Sequence, residues 1–180
     1  MTNDPHIRYF KQCSIELELA LPILEKVHDQ TLKVHDFNIS NTQMDALIEA
    51  ASFFKDYIKR FLLDNCGIDD KKFSKFLIAL GSLPDFKSII YRNNHFDMES
   101  ARALLNLLYK KMPHHLDELC LERCKTSYMA TEYLLERLCD RSYLSHLALV
   151  SVELSERSIS LLCDFVTNNR LIQQLDLSWN

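Results

Sequence analysis

The sequence predicts an α/β solenoid, a curved arc of strand–turn–helix units with parallel strands on its concave face and helices on its convex face. Two observations carry this expectation. A pattern of apolar residues recurs every 28 to 30 residues along most of the chain. At a fixed distance after each occurrence stands a residue suited to cap a helix, followed by apolar residues at helical spacing.

The reference stretch is Ile58 to Ile68, IKRFLLDNCGI. Apolar residues occupy its first, fourth, sixth and eleventh places, with a Cys at the ninth. The same template starts at Asp29, Ile58, Phe86, Leu116, Leu144 and Ile172. Its fourth place holds Leu32, Phe61, Ile89, Leu119, Leu147 and Leu175, and its sixth holds Val34, Leu63, Tyr91, Leu121, Leu149 and Leu177. Every one of these is apolar or aromatic. In a strand they share one face, so they are the expected core positions.

The ninth place holds Phe37, Cys66, Asn94, Cys124, Val152 and Asn180. Asn or Cys there can turn inward and bond the loop backbone that would otherwise be buried unpaired. Phe37 and Val152 cannot, so those two turns are expected to be adapted or looser. The twelfth place holds Ser40, Asp69, Asp97, Ser127 and Ser155, each able to accept from the free N–H groups at a helix start. Helical spacing follows in Met44, Leu47, Ile48 and Ala51, in Phe73, Phe76, Leu77 and Leu80, and in the three later units. Gly81, Pro84, Pro113 and Asn168–Asn169 mark the loops. Strands separated by helices of one sense are parallel. Strands lie about 4.8 Å apart and helices are about 10 Å wide, so the stack bends with the strands inside.

Residues 1–28 do not fit the template. Leu17, Ala20, Leu21, Leu24 and Val27 follow helical spacing, interrupted by Pro22. Ile15, Leu17 and Leu19 alternate like a strand, and a decayed repeat centred on Cys13 is the other reading. The expectation is a helical cap over residues 1–28, covering the first of the repeats in 29–180.

Bulk properties narrow the function. Net charge is −4 with a pI near 6.0, which leaves no basic footprint for nucleic acid. Two glycines argue against phosphate-cradling loops and tight hairpins. The polar start has no apolar run of a secretory signal, and no segment is apolar enough to span a membrane. Six cysteines in such a chain read as reduced thiols of a cytoplasmic protein.

Units of this length with L-x-x-L-x-L-x-x-N/C-x-L strands and full helices resemble the ribonuclease-inhibitor type of leucine-rich repeat. The resemblance covers residues 29–180. It implies a non-enzymatic scaffold or regulatory subunit that binds another protein, with cytoskeletal or ciliary roles among those it permits. A GTPase regulator similar to the Ran GTPase activator is a first alternative. The recognition arm of an immune-receptor or ubiquitin-ligase protein is a second. The sixth repeat has its strand but no helix, so the expectation is a longer chain with further repeats, or pairing of the edge near Leu175–Leu177 with a partner.

The third, fifth and seventh places should face the concave surface. The fifth place aligns Leu62, Ile90, Cys120 and Ala148 as an apolar row. Arg60, Asp64, Arg92, Glu122 and Val150 flank it. An apolar centre with a polar rim is the composition of a protein-binding patch. The cysteines at 66, 120 and 124 do not supply four ligands at zinc spacing, and no cofactor or metal is expected. Lys110–Lys111 and His114–His115 read as a solvated loop, with contact to an anionic surface as its alternative. No nucleophile with an adjacent base is legible.

Overall fold

The computed structural model describes residues 7, 10–11, 13–14, 27–50, 58–81, 83, 86–110, 116–140 and 143–180. One sheet contains seven strands in chain order. They are β1 (Val27–His28), β2 (Thr31–His35), β3 (Arg60–Asp64), β4 (Ser88–Arg92), β5 (Glu118–Glu122), β6 (His146–Val150) and β7 (Gln174–Asp176). Helices α1 (Asn41–Ala50), α2 (Asp70–Leu80), α3 (Met98–Lys110), α4 (Tyr128–Asp140) and α5 (Glu156–Asn168) alternate with β2–β7. This is a leucine-rich-repeat fold of six parallel strands.

Every parallel strand begins at the third place of its repeat, and every helix at the thirteenth. The register pairs like places: Phe61 with Ile89, Ile89 with Leu119, and Leu119 with Leu147. The first five fourth-place residues are at most 2% exposed. With the sixth-place residues and the inner faces of α1–α5 they form one continuous core. Within it Tyr91 stacks on Phe73, ring centroids 3.7 Å apart and nearly parallel. The Tyr91 hydroxyl lies 3.0 Å from the His95 carbonyl and 3.2 Å from that of Ile68.

The twelfth place caps four of the five helices, while the first N–H groups of α3 are taken mainly by Asp70. Ser40 Oγ accepts from Gln43 N–H while Gln43 Oε1 accepts from Ser40 N–H, a capping box. Asp69, Ser127 and Ser155 accept from the N–H three residues on. The ninth place ties adjacent turns. Cys66 Sγ donates to the carbonyls of Val34 and Asp64, and Cys124 Sγ to those of Tyr91 and Glu122. Burial pushes these thiols up, to about 11 and about 12, so both remain donors. Asn94 does more. Its Nδ2 donates to Leu63 and Arg92 carbonyls, and its Oδ1 accepts from Cys66 and Ile68 N–H.

Three expectations are corrected. The turn at Val152 is not loosened, because Asn180 Oδ1 takes the Val152 N–H at 2.9 Å. Only Phe37 turns outward to solvent. A tight hairpin forms without glycine: β1 pairs antiparallel with β2 through Asp29 and Gln30, at φ 48° and 61°. Val27 is therefore in a strand and not in a helix. Positive φ also recurs at the eighth place of all six repeats, in Asp36, Asn65, Asn93, Arg123, Ser151 and Trp179. In β2–β6 this left-handed residue directly follows the strand and starts the turn.

Residues 7, 10–11 and 13–14 are helical, and Cys13 is buried in the core. The remaining assignments to 1–26, including Pro22 and the Leu17–Leu24 spacing, lie outside the described residues. So do Ala51, Pro84, Pro113 and the Lys111 and His114–His115 loop. Among the described residues no helix is long and apolar enough to cross a membrane.

Candidate functional site

Register fixes the concave face. The fifth places of β2–β7 bring Lys33, Leu62, Ile90, Cys120, Ala148 and Asp176 side by side. The seventh places align Asp64, Arg92, Glu122 and Val150 beside them. Leu62, Ile90, Ala148 and Val150 are half-buried, as expected for an inward-curved sheet.

Cys120 departs from the expected exposed row, at 7% exposed. The Arg92 side chain reaches from the neighbouring strand, with Nε 2.7 Å from Glu122 Oε2, and interacts with the thiol. Burial raises the Cys120 pKa, and the nearby guanidinium offsets only part of that rise. The residue is a neutral floor to the site rather than a reactive thiol.

The result is a recess of about 170 Å³. Ile90, Cys120, Ala148 and Val150 supply apolar lining, with Arg92 and Glu122 beside them. Glu122 is held by two cations, since Arg123 Nη2 lies 2.9 Å from its Oε1. Glu118 and His146 also line the recess. Their third-place position made them visible in the sequence, yet composition gave no reason to select them over other third-place residues. Ser88 Oγ donates to Glu118 Oε2 at 2.6 Å. Leu62, Asp64 and Arg60 lie one strand away on β3, outside this recess. Arg60 instead borders a shallow depression with Lys87, Ser88, Asp117, Glu118 and His146.

Ser145 Oγ lies 2.7 Å from His146 Nδ1 and donates to the Asp117 carbonyl at 3.1 Å. Cys66, Cys120, Cys124 and Cys163 are unbridged thiols. Among the described residues no group of three or more His, Cys, Asp or Glu side chains is placed to hold a metal.

No family model matches the chain, and no curated protein matches it. Solved structures share its fold. A chain described as leiomodin-1 actin-binding site 2 aligns at a TM-score of 0.61 and 19% identity, covering 77% of this chain and 80% of that one. The C-terminal domain of tropomodulin from Caenorhabditis elegans aligns at a TM-score of 0.56 and 17% identity, covering 92% and 93%. At these identities the likeness is one of fold.

Proposed function

We propose that this chain is a non-enzymatic interaction module that binds a protein of the actin cytoskeleton through its concave face. The observation that carries the proposal is the recess over Cys120, bordered by Ile90, Ala148 and Val150 and continued sideways by Leu62. Its charged neighbours Arg92 and Glu122 are ion-paired with one another, so a partner meets apolar area beside a charge pair rather than lone charges. Arg60, Asp64, Arg92 and Glu122 form the polar rim. The fold shared with an actin-binding site of leiomodin-1 supports actin as the first partner to test.

In this reading residues 29–180 are repeats of the ribonuclease-inhibitor type and residues 1–28 are their cap. The protein works in the cytoplasm beside the cytoskeleton, without cofactor, nucleic acid or membrane. The test is co-sedimentation with actin filaments and capture of monomeric actin, for the wild-type chain and for Leu62→Asp/Ile90→Asp. Binding that the variant loses by at least about tenfold, with an unchanged circular dichroism spectrum, is expected. Equal binding by both overturns the concave-face assignment, and no binding by the wild type overturns actin as the partner.

A further inference from the structure

The recess over Cys120 has two ends that differ in charge. At its seventh-place end the charges are matched. Glu122 lies between Arg92, whose Nε is 2.7 Å away, and Arg123, whose Nη2 is 2.9 Å away. At its third-place end they are not. Glu118 is half-buried there, on the same lining as His146 and Gln174. Its Oε2 accepts from Ser88 Oγ at 2.6 Å. Among the described residues no Lys or Arg is ion-paired with it. Lys87 is engaged with Asp117, and Arg60 stands on β3, two strands away. Of the Asp, Glu, Lys and Arg side chains in the lining, Glu118, Glu122 and Asp176 are carboxylates and only Arg92 is a cation.

Between the two ends lies an apolar floor, made by Ile90, Cys120 and Ala148 on adjacent strands. The strand that carries Glu118 and Cys120 is paired on both sides, so floor and carboxylate are fixed within the sheet. The volume, about 170 Å³, is below the roughly 300 Å³ of a small-molecule site and suits one side chain of a partner. Charge decides which side chain. A wholly apolar one would cover Glu118 without offering it a counter-charge, and burying an unpaired carboxylate is costly. An acidic one would meet three carboxylates and a guanidinium already engaged. A lysine or arginine brings an aliphatic stem for the floor and a cation for the carboxylate.

We infer that this recess is the socket for a basic side chain of the protein partner, its stem on Ile90, Cys120 and Ala148 and its cation against Glu118. The inference rests on the concave face being the binding face, and it names what that face selects. Glu118 is the specificity-determining residue. Arg92 and Glu122, held to one another, form the opposite wall.

The probe is n-butylguanidinium, an arginine side chain without its backbone, compared with n-butylurea, which has nearly the same shape and no charge. Amide proton–nitrogen correlation spectra of the 180-residue protein are followed through each titration. Saturable shifts at the Cys120 and Ala148 amides are expected with n-butylguanidinium, and binding of n-butylurea at least about fivefold weaker. Glu118→Gln should weaken n-butylguanidinium at least about fivefold and leave n-butylurea unmoved. A glutamine can still accept from Ser88, so circular dichroism should not change. Glu153→Gln, which removes an exposed carboxylate outside the recess, should alter neither titration. Absence of saturable shifts at the recess overturns the inference. So do equal affinities for the two probes, and an n-butylguanidinium affinity unmoved by Glu118→Gln. No partner protein enters this titration. A chain that fails to bind actin can therefore still pass it, and one that binds actin through Leu62 and Ile90 can still fail it.

Discussion

Ser100 joins consecutive helices by donating two hydrogen bonds to Asp70. Ser100 N–H donates to Asp70 Oδ1 at 3.0 Å, and Ser100 Oγ donates to the Asp70 carbonyl at 3.0 Å. Asp70 thus belongs to α2 but caps α3. Asp97, at the cap position of α3, in turn accepts from Ser127 Oγ at 2.6 Å, and Glu132 accepts from Ser155 Oγ at 2.5 Å. Cap residues here bind repeats together as well as starting helices.

Replacing Asp70 by Ala should destabilise the protein by about 1–2 kcal/mol, the cost of a lost cap. The effect depends on pH. Burial raises the Asp70 pKa, but hydrogen bonds from Ser100 and the α3 backbone outweigh it, and the folded value is lowered. Its stabilising contribution is complete above the unfolded carboxylate value of about 3.9 and is lost as pH falls through the folded value. Urea unfolding should therefore show a gap between wild type and Asp70→Asn that narrows from neutral pH to about pH 3. A gap that widened on acidification would contradict the assignment.

Asn94→Ala should cost at least about 3 kcal/mol, because it strands the N–H groups of Cys66 and Ile68 and the carbonyl of Leu63. Asn94→Cys should be milder, since a thiol there can still donate to the carbonyls as Cys66 and Cys124 do. The stability order from denaturant midpoints is Asn, then Cys, then Ala.

Thiol labelling should proceed in an order set by burial. Cys163 is exposed and should react first with a disulfide reagent in the native protein. Cys66 and Cys124 are buried, with pKa values pushed up to about 11 and about 12, and should react only on unfolding. Fast native-state labelling of Cys124 would mean that the ninth-place bonds open readily.

Gly67 sits at φ +62°, where an added Cβ would meet the Asn38 side chain. The exposed Asn38 can move aside, so the backbone strain dominates. Gly67→Ala should lower stability by roughly 1–2 kcal/mol, measured by thermal unfolding.

Much of this architecture was written in local pattern. The fourth, sixth and twelfth places fix strand register and helix starts because each residue acts within its own unit. What the pattern missed depends on neighbours in space. Nothing near Asp70 in sequence announces that it caps α3, some 30 residues away. The burial of Cys120 follows from Arg92 bending across a strand towards Glu122. The Asp29–Gln30 hairpin lacks the glycine that usually signals positive φ, since Asp and Gln hold it here. The apolar row at Leu62, Ile90 and Ala148 was legible from period two alone, but the shape of the recess was not.

The ninth-place bonds also impose a timetable. Asn94 satisfies the turn at Cys66–Ile68, and Asn180 satisfies the one at Val152, so each turn is closed by a residue from the unit made after it. At synthesis rates of about 5–20 residues per second, a repeat that has left the ribosome waits on the order of seconds for its latch. At these two turns native structure should consequently trail translation by one unit. A pause before Asn94 or Asn180 is made would leave the preceding repeat with an unlatched turn.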